Sequence, residues 1–401
     1  MMIDRDSTYV RAISIVDAVA RRRLVAIAVA LAVVASAPVA LGETPQRAAD
    51  AKLARALARL VSMPGGPPGA IAVVQRGNTV KVFSAGVAEL GAKRRPSLND
   101  HVRLASMSKA YSGAAALSLV SQGRLSLDDT IAQRLPRLPT AWGNVTLRQL
   151  LNHTSGLPDF VSSEAAQQAI AASLTVPPRP DQLLDFVKDE PLKFAPGSKY
   201  TYSNSDNVAV GLMVAAVSGT TYEQQLQEQI FGPLGLTRTS LPVGPVLPTP
   251  FVRGYDVPAS GPPEDLSEVM AAGWAWASGG MVSTPTEVNR FIRGHVGGKL
   301  FDTPTQNAQR EVIPGGGSEP PGPGVNAAGL GIFRYTTRCG TVFGHTGNVF
   351  GYTDFMSASP DGTRSAVVTA SEQLRPDLNG KVFAALRRAE VLAVCAALAG
   401  R

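Results

Sequence analysis

The chain is 401 residues long, with 44% hydrophobic and 17% charged residues, a composition typical of a globular protein with one large core or two packed lobes. Its formal net charge of +7 is a mild basic excess, and no run of Lys or Arg alternates with aromatic residues. These features exclude the usual electrostatic footprint of a nucleic-acid-binding protein, so we expect no nucleic-acid partner.

The N-terminal segment is basic and then apolar. Residues 24–41 are almost entirely apolar and follow three consecutive arginines at 21–23. This pattern predicts a signal peptide over residues 1–42, with a small-residue cleavage site at 40–42. The alternative is a membrane anchor at the N-terminus, because the apolar stretch just reaches spanning length. Both interpretations place the remaining chain outside the cytoplasm, as a secreted, periplasmic or membrane-anchored protein.

The rest of the chain shows strand patterns near both ends and helical patterns between them. Leucines at helical spacing predict a helix over 46–62, and β-rich runs predict a hairpin of two strands over 70–75 and 79–84. The pattern is mostly helical from 110 to about 311, and a Pro- and Gly-rich stretch over 313–329 predicts a mobile surface loop. Three further strands and a closing helix are predicted over 329–335, 341–357, 364–369 and 380–397.

This order of elements predicts an α/β fold built on one antiparallel sheet that is assembled from both ends of the chain. Helices near the two termini flank the sheet, and a mostly helical lobe is inserted between its halves. The expected boundaries are residues 43–109 and 322–401 for the sheet lobe and 110–321 for the helical lobe.

A serine and a lysine three residues apart, Ser106 and Lys109, form the first candidate catalytic pair. If this segment is the first turn of a helix, both side chains lie on one face and Ser108 points elsewhere. Lys109 can act as a base only when neutral, so burial or a nearby cation would have to lower its pKa. The backbone N–H of Ser106 is a candidate oxyanion donor, because N–H groups at a helix start are unpaired.

Two further motifs could supply partners. Tyr202 and Asn204 lie in a loop just before a predicted helix, where a phenol can relay a proton and an amide can orient a substrate amide. His345, Thr346 and Gly347 lie among further glycines, which allow a strand backbone to approach a ligand closely. The residue after this second motif supplies the other candidate oxyanion donor, the backbone N–H of Asn348.

The three motifs in this order resemble those of the serine penicillin-binding protein and class C-like β-lactamase superfamily. Stretches at 150–157 and 279–287 also resemble the class C-like branch. Over residues 46–398 the chain most resembles the secreted D-alanyl-D-alanine carboxypeptidases of actinomycetes. The resemblance implies the β-lactamase and transpeptidase fold and a serine acyl-enzyme mechanism.

The resemblance also implies a role for each motif residue. Ser106 would be the nucleophile, Lys109 would help to deprotonate it, and Tyr202 would shuttle protons to the leaving group. Asn204 would hold the acyl-side amide. The substrate's terminal carboxylate would be bound by a pocket lined by His345, Thr346, Gly347 and Asn348.

A free carboxylate on the substrate would be favoured by cations near this pocket. We expect Lys109 and His345 to carry positive charge there. The related carboxypeptidases also have an arginine on the preceding strand, and Arg334 and Arg338 are the candidates for that role in this chain. The resemblance thus predicts a preference for substrates that end in a free carboxylate.

The most specific function implied is a D-alanyl-D-alanine carboxypeptidase that acts on peptidoglycan stem peptides and is acylated by penicillin, without a cofactor or metal. The alternatives are a class C-like β-lactamase, a small-ester hydrolase or a non-catalytic penicillin-binding sensor. Class C enzymes usually carry Lys where this chain has His345, which disfavours the β-lactamase, and the intact motifs disfavour the sensor. The chain has no Gly-x-Ser-x-Gly elbow of a Ser-His-Asp hydrolase, and we expect His153 to be structural.

The chain contains two cysteines, Cys339 and Cys395. A pair of cysteines in an oxidising compartment suggests a disulfide, and the alternative is two buried free thiols. The resemblance supports the disulfide, because the related carboxypeptidases carry cysteines shortly before the His-Thr-Gly motif and near the C-terminus.

Overall fold

The computed structural model of the protein describes residues 44–258 and 260–400. The predicted signal segment, residues 1–42, lies outside the described residues, so the signal peptide and the alternative membrane anchor stay predictions. Within the described part of the chain, no helix combines the length and the apolar character needed to cross a membrane.

The strands lie mainly near the two ends of the described chain. In chain order they are β1 (Gly69–Arg76), β2 (Thr79–Gly86), β3 (Val102–Arg103), β4 (Tyr255–Asp256), β5 (Glu264–Asp265), β6 (Val282–Ser283), β7 (Ile313–Pro314), β8 (Val325–Ala328), β9 (Phe333–Thr337), β10 (Gly340–Val349), β11 (Tyr352–Ala358) and β12 (Arg364–Ala370). Eight of them form one sheet in the order β2-β1-β12-β11-β10-β9-β8-β7, in which every neighbouring pair is antiparallel. The short strands pair as β3 with β6 and β4 with β5.

The helices are concentrated between the two groups of strands. In chain order they are α1 (Pro45–Ser62), α2 (Ser108–Ser121), α3 (Ile131–Arg134), α4 (Leu147–Leu151), α5 (Glu164–Ala172), α6 (Asn204–Ser218), α7 (Tyr222–Leu226), α8 (Gly232–Leu234), α9 (Trp276–Gly279), α10 (Pro285–Val296), α11 (Thr303–Arg310) and α12 (Gly380–Leu398). Short 3₁₀ turns span Ala105–Met107, Thr140–Trp142, Phe160–Ser162, Pro180–Val187 and Ala272–Trp274, and a π-helical turn spans Gln227–Phe231.

The central sheet separates two apolar cores. Along β1, Ala72 and Val74 join the core that α1 and α12 form on one face, whereas Val73 joins the core of the helical lobe on the other face. This division follows from the two-residue period of a strand. Helix α1 contributes three buried leucines at helical spacing to the first core, namely Leu53, Leu57 and Leu60.

Helix α2 is the centre of the second core. Residues 108–119 are all buried, as expected for a helix surrounded on every side by other elements. Small residues on α2 permit this packing: a Cβ placed on Gly113 would lie 2.9 Å from the Cα of Gly331. Helix α2 packs against α6 and α9, and the 3₁₀ turn before it contacts β10. The start of α2 is thereby positioned at the junction of the helical lobe and the sheet.

The predicted α/β fold with an antiparallel sheet built from both chain ends is confirmed, whereas the boundaries of the two lobes stay a prediction. The single strand predicted over 341–357 is wrong, because the chain reverses at Phe350 and Gly351, where Gly351 adopts φ 78°. The stretch 313–329 was predicted as a mobile surface loop, but it carries β7 and β8 at the edge of the sheet.

The predicted disulfide between Cys339 and Cys395 is present. Cys339 lies in the turn between β9 and β10, and Cys395 lies in the terminal helix α12. The bond therefore ties the last helix to the sheet on the face that this helix covers.

The face of α12 that packs on the sheet includes one buried acidic residue, Glu390. Its side chain is buried, and its Oε2 atom has no hydrogen-bond partner among the described residues. Its ion-pair neighbour is Arg387, whose Nε lies 3.8 Å from that oxygen. Burial raises the pKa of Glu390 from 4.5 to about 8.

We predict that Glu390 makes the protein less stable as the pH rises. The folded state keeps a proton on Glu390 that the unfolded chain loses, so its contribution to the free energy of unfolding falls between pH 4.5 and about 8. Glu390→Gln should therefore stabilise the protein at pH 8 more than at pH 5, measured by chemical denaturation. Glu311→Gln, a change at an exposed residue, is the control. An equal effect of Glu390→Gln at both pH values would contradict this prediction.

Candidate active site

Ser106 lies in the 3₁₀ turn Ala105–Met107, immediately before α2. Ala105 adopts φ 47°, in the left-handed region that a residue other than glycine rarely occupies. Strand β10 packs directly against this turn, because a Cβ on Gly347 would lie 2.3 Å from the carbonyl oxygen of Leu104. The turn is thus held in a strained conformation between the helix and the sheet, with Ser106 at the wall of a cavity.

The Lys109 amine makes three polar contacts. Its Nζ lies 3.1 Å from Ser106 Oγ, and it donates hydrogen bonds of 2.7 Å to Asn204 Oδ1 and to the carbonyl oxygen of Ser278. A neutral amine has two hydrogens and one lone pair. The two hydrogens are donated to Asn204 Oδ1 and to the Ser278 carbonyl oxygen, which can only accept. The lone pair is then free to accept the proton of the Ser106 hydroxyl.

The electrostatic environment brings Lys109 close to neutrality at physiological pH. Its side chain is fully buried, and this burial lowers its pKa from 10.5 to about 7, against the opposing effect of the carboxylates of Asp159, Asp206 and Glu319. Lys109 needs such a shift in order to act as a base. Ser108 points away from this pair, since its hydroxyl accepts a hydrogen bond of 3.0 Å from the backbone N–H of Met281.

The phenol of Tyr202 faces the same pair. The Tyr202 ring centroid lies 4.9 Å from Lys109 Nζ. Burial raises the pKa of Tyr202 well above its usual value, and an interaction with Ser106 only partly opposes this rise. The hydroxyl has no partner of full hydrogen-bond geometry among the described residues. At neutral pH Tyr202 is therefore protonated and is suited to donate a proton.

Asn204 is oriented by an acidic residue that the sequence analysis did not single out. Asp159 accepts hydrogen bonds from the backbone N–H of Asn204, at 3.0 Å, and from its Nδ2, at 3.1 Å. Because Nδ2 is directed to the carboxylate, Oδ1 must face Lys109. Both ends of the Asn204 side chain are thus engaged within the protein, although the residue also lines the cavity.

His153 lies beneath Tyr202 and is structural, as the sequence analysis expected. Its Nδ1 is 2.7 Å from Asp206 Oδ2, and both side chains are buried. Burial lowers the pKa of His153 to about 3 and raises the pKa of Asp206 well above its usual value. The two side chains therefore form a buried hydrogen-bonded pair that packs next to Tyr202.

The prediction that His345 supplies a positive charge is wrong. The ring is buried against Phe333, at 4.9 Å between centroids, and its Nδ1 lies 2.6 Å from the carbonyl oxygen of Thr346. Burial lowers the pKa of His345 to about 3, so its imidazole is neutral. Of the predicted cations, only Lys109 lies at the site, with a pKa near 7.

The side chains predicted to bind the substrate carboxylate are engaged elsewhere. Thr346 Oγ1 donates to the carbonyl oxygen of Pro320 at 2.6 Å. The Asn348 amide donates to the carbonyl oxygen of Leu374 at 2.7 Å and to Thr353 Oγ1 at 3.2 Å. Asn348 still lines the cavity, and its backbone N–H stays a predicted oxyanion donor together with that of Ser106.

The cavity next to Ser106 has a volume of about 780 Å³. One wall is apolar and includes residues from α5 and from the segment before α9, namely Ile170, Met270 and Trp274. The charged lining residues are Asp159, Glu319 and Arg375. Neither Arg334 nor Arg338 lines this cavity, and Arg375 at its rim is paired with Asp377 at 2.7 Å. Within residues 44–258 and 260–400, no group of three or more potential ligands for a metal comes together.

A sequence model of the family described as Beta-lactamase matches residues 53–389. The chain belongs to the Beta-lactamase family. It therefore falls within the serine hydrolase superfamily that also includes penicillin-binding proteins.

Two curated relatives match part of the chain. It is 30% identical to the D-alanyl-D-alanine-carboxypeptidase/endopeptidase AmpH of Escherichia coli (strain K12) over 252 residues, which are 62% of this chain and 62% of that protein. It is 31% identical to penicillin-binding protein 4* of Bacillus subtilis (strain 168) over 176 residues, which are 43% of this chain and 37% of that protein. The chain thus matches less than two thirds of the length of each of these relatives.

Solved structures match more of the chain. A D-stereospecific amidohydrolase from Streptomyces sp. has a TM-score of 0.72 at 27% identity, covering 84% of this chain and 97% of that one. A D-amino acid amidase from Ochrobactrum anthropi SV3 has a TM-score of 0.74 at 24% identity, covering 86% of this chain and 98% of that one. The second match bears on the fold alone.

We predict that Gly347→Ala slows acylation of Ser106 by about 100-fold, because a displacement of about 1 Å at a reacting group has this effect. The added Cβ would lie 2.3 Å from the Leu104 carbonyl oxygen and would push β10 away from the turn. Acylation by a fluorescent penicillin measures the effect. Gly244→Ala is the matched control, because a Cβ there meets no atom within 4 Å. Similar acylation rates in the two variants would contradict the prediction.

We also predict that acylation accelerates as the pH rises through about 7 and then levels off, because Lys109 must lose its proton to accept that of Ser106. Lys109→Arg keeps a positive charge that cannot be lost in this range, so acylation should fall by about 10²- to 10⁴-fold on the plateau above pH 7 and should no longer rise with pH. Stopped-flow measurement of acylation between pH 5 and 9 tests both points. A pH-independent rate in the unmodified protein would exclude Lys109 as the base.

Proposed function

We propose that this protein is a serine acyl-enzyme hydrolase that cleaves amide bonds next to D-amino acids. The observation that carries this proposal is the contact of 3.1 Å between Lys109 Nζ and Ser106 Oγ, together with the lowering of the pKa of Lys109 to about 7. A serine hydroxyl is a weak nucleophile unless a neighbouring base removes its proton.

In the proposed reaction, Ser106 Oγ attacks the substrate carbonyl carbon while its proton passes to Lys109 Nζ. The oxyanion is stabilised by the backbone N–H groups of Ser106 and Asn348. Tyr202 then gives its proton to the leaving nitrogen and regains one from Lys109, so the amide C–N bond breaks and the ester on Ser106 remains. Water hydrolyses this ester, and its proton returns through the same groups.

The specific form favoured by the curated relatives is a D-alanyl-D-alanine carboxypeptidase acting on peptidoglycan peptides, with β-lactams as acylating ligands. AmpH is named a D-alanyl-D-alanine-carboxypeptidase/endopeptidase, and penicillin-binding protein 4* is named for binding a β-lactam. An extracytoplasmic location is part of the proposal, and the bond between Cys339 and Cys395 supports it, because disulfides persist in oxidising compartments.

A second candidate, a D-amino acid amidase, is favoured by a specific observation. The Thr346 hydroxyl and the Asn348 amide are hydrogen-bonded within the protein, and His345 is neutral, so the cavity offers few free groups for a substrate carboxylate. An amidase would not need such groups, because its leaving group is ammonia. The structural similarity to the Streptomyces D-stereospecific amidohydrolase supports this candidate.

Mass spectrometry tests the shared mechanism. After incubation with benzylpenicillin, the intact protein should carry one adduct, located on the peptide that contains Ser106. Ser106→Ala should abolish the adduct, and Ser108→Ala should retain it because Ser108 faces away from Lys109. An adduct on another serine, or none, would reject the proposal.

Turnover of matched substrates separates the two candidates. Diacetyl-Lys-D-Ala-D-Ala and its C-terminal amide differ only in the terminal charge. A carboxypeptidase should favour the free acid by about 10- to 150-fold in kcat/KM. This factor corresponds to the free energy of charge-assisted hydrogen bonds to the carboxylate, about 1.5–3 kcal/mol. Equal or faster turnover of the amide would support the amidase.

A further inference from the structure

The cavity beside Ser106 is more acidic than a pocket for a carboxylate should be. Two of its charged lining residues, Asp159 and Glu319, are acidic. The third, Arg375, lies at the rim and is already paired with Asp377. Lys109 lies behind Ser106 and is close to neutral at physiological pH. A substrate that enters this cavity therefore meets a net negative charge.

Glu319 is held at the cavity by a Gly- and Pro-rich segment, residues 315–324, which we call the strap. The strap is anchored on both sides of Glu319. Tyr200 donates to the carbonyl oxygen of Gly317 at 2.5 Å, and the hydroxyls of Ser318 and Tyr335 are 3.0 Å apart. On the other side, the Thr346 hydroxyl donates to the carbonyl oxygen of Pro320. These contacts fix the strap, so the position of Glu319 is built into the fold.

The strap has two effects on the site. It occupies the Thr346 hydroxyl, which would otherwise be a donor for a substrate carboxylate. It also adds the Glu319 carboxylate to the cavity wall, near enough to Lys109 and Asp159 to interact with both electrostatically. Glu319 is exposed and has no hydrogen-bond or ion-pair partner among the described residues, so its oxygens are open to a ligand.

An independent feature of the same cavity indicates that a ligand is to be bound there. The Tyr202 side chain is 9% exposed, and its hydroxyl is buried without a partner of full hydrogen-bond geometry in the described chain. Tyr202 lines the cavity together with Glu319. A buried polar group without a partner is costly, so a substrate that supplies one is expected at this place.

We propose that Glu319 is a specificity-determining residue that selects acyl donors carrying a free ammonium group. This inference rests on the proposed acyl-enzyme function and adds the substrate class. The ammonium would bind between Glu319 and Asp159, while an apolar part of the donor packs against Met270 and Trp274. The ammonium can be the α-amine of a D-amino acid or an amine on its side chain, since both present the same charge to the carboxylates.

Three chromogenic substrates test the inference. D-alanine p-nitroanilide carries an α-ammonium, Nα-acetyl-D-lysine p-nitroanilide carries a side-chain ammonium, and N-acetyl-D-alanine p-nitroanilide carries neither. The unmodified protein should prefer at least one of the two cationic substrates over the neutral one in kcat/KM. The preferred substrate identifies which amine is recognised.

Glu319→Gln should reduce this preference by about 5- to 20-fold, because the glutamine oxygen can still accept a neutral hydrogen bond and only the additional effect of the charge is lost. Glu319→Lys should invert it and favour N-succinyl-D-alanine p-nitroanilide, which carries a carboxylate. Glu311→Gln is the matched control. This substitution removes the same charge from an exposed residue that does not line the cavity, so the preference should not change.

A neutral fluorophosphonate that labels the active serine separates two kinds of failure. Labelling of Ser106 with equal kcat/KM for all three p-nitroanilides, or an unchanged preference in Glu319→Gln, overturns this inference and leaves the proposed function standing. Absence of both labelling and turnover in the unmodified protein overturns the proposed function and this inference together.

Discussion

The contacts of one buried amine hold the site together. Lys109 has no exposed surface, so the cost of taking its amine out of water must be offset within the protein. Its partners come from the turn that carries Ser106, from the first residue of α6 and from α9. The contacts that offset the burial of the amine are therefore the same ones that place it against the Ser106 hydroxyl. Burial lowers the pKa of the amine, and the contacts that burial requires fix the position of the amine.

The rest of the site supports this contact in layers. Asp159 orients the Asn204 amide so that its oxygen faces Lys109, and the buried pair of His153 and Asp206 packs next to Tyr202. On the other side, Gly347 lets β10 reach the strained turn at Ala105. A strained residue persists only where its surroundings determine its conformation, and here a helix and a strand do so from two directions.

The parts of the site that were predictable from sequence depend on short-range order. Ser106 and Lys109 are three residues apart, so helix geometry alone brings them together. The resemblance to a known superfamily added Tyr202 and Asn204, which no local pattern places near Ser106. The β-rich runs at 70–75 and 79–84 and the leucines of α1 likewise predicted the hairpin and the flanking helix. Each of these predictions needs only neighbouring residues or a known motif.

The remaining features depend on tertiary burial and packing, which the sequence patterns do not contain. The charge of His345 was mispredicted because its burial against Phe333 is a property of the assembled sheet. Glu319 was overlooked because a Pro- and Gly-rich stretch indicates a loop and does not indicate what the loop covers. The hairpin at Gly351 was missed because one glycine between two β-rich runs is a weak turn signal.

The position of β1 between β2 and β12 has a consequence for the time at which the protein can become active. During synthesis, β1 and the nucleophile leave the ribosome long before β12, which ends at Ala370. The eight-stranded sheet cannot be completed until nearly the whole chain has emerged. Contacts between segments so far apart in the sequence also form slowly during folding. We therefore expect a chain truncated before β12 to lack the completed sheet.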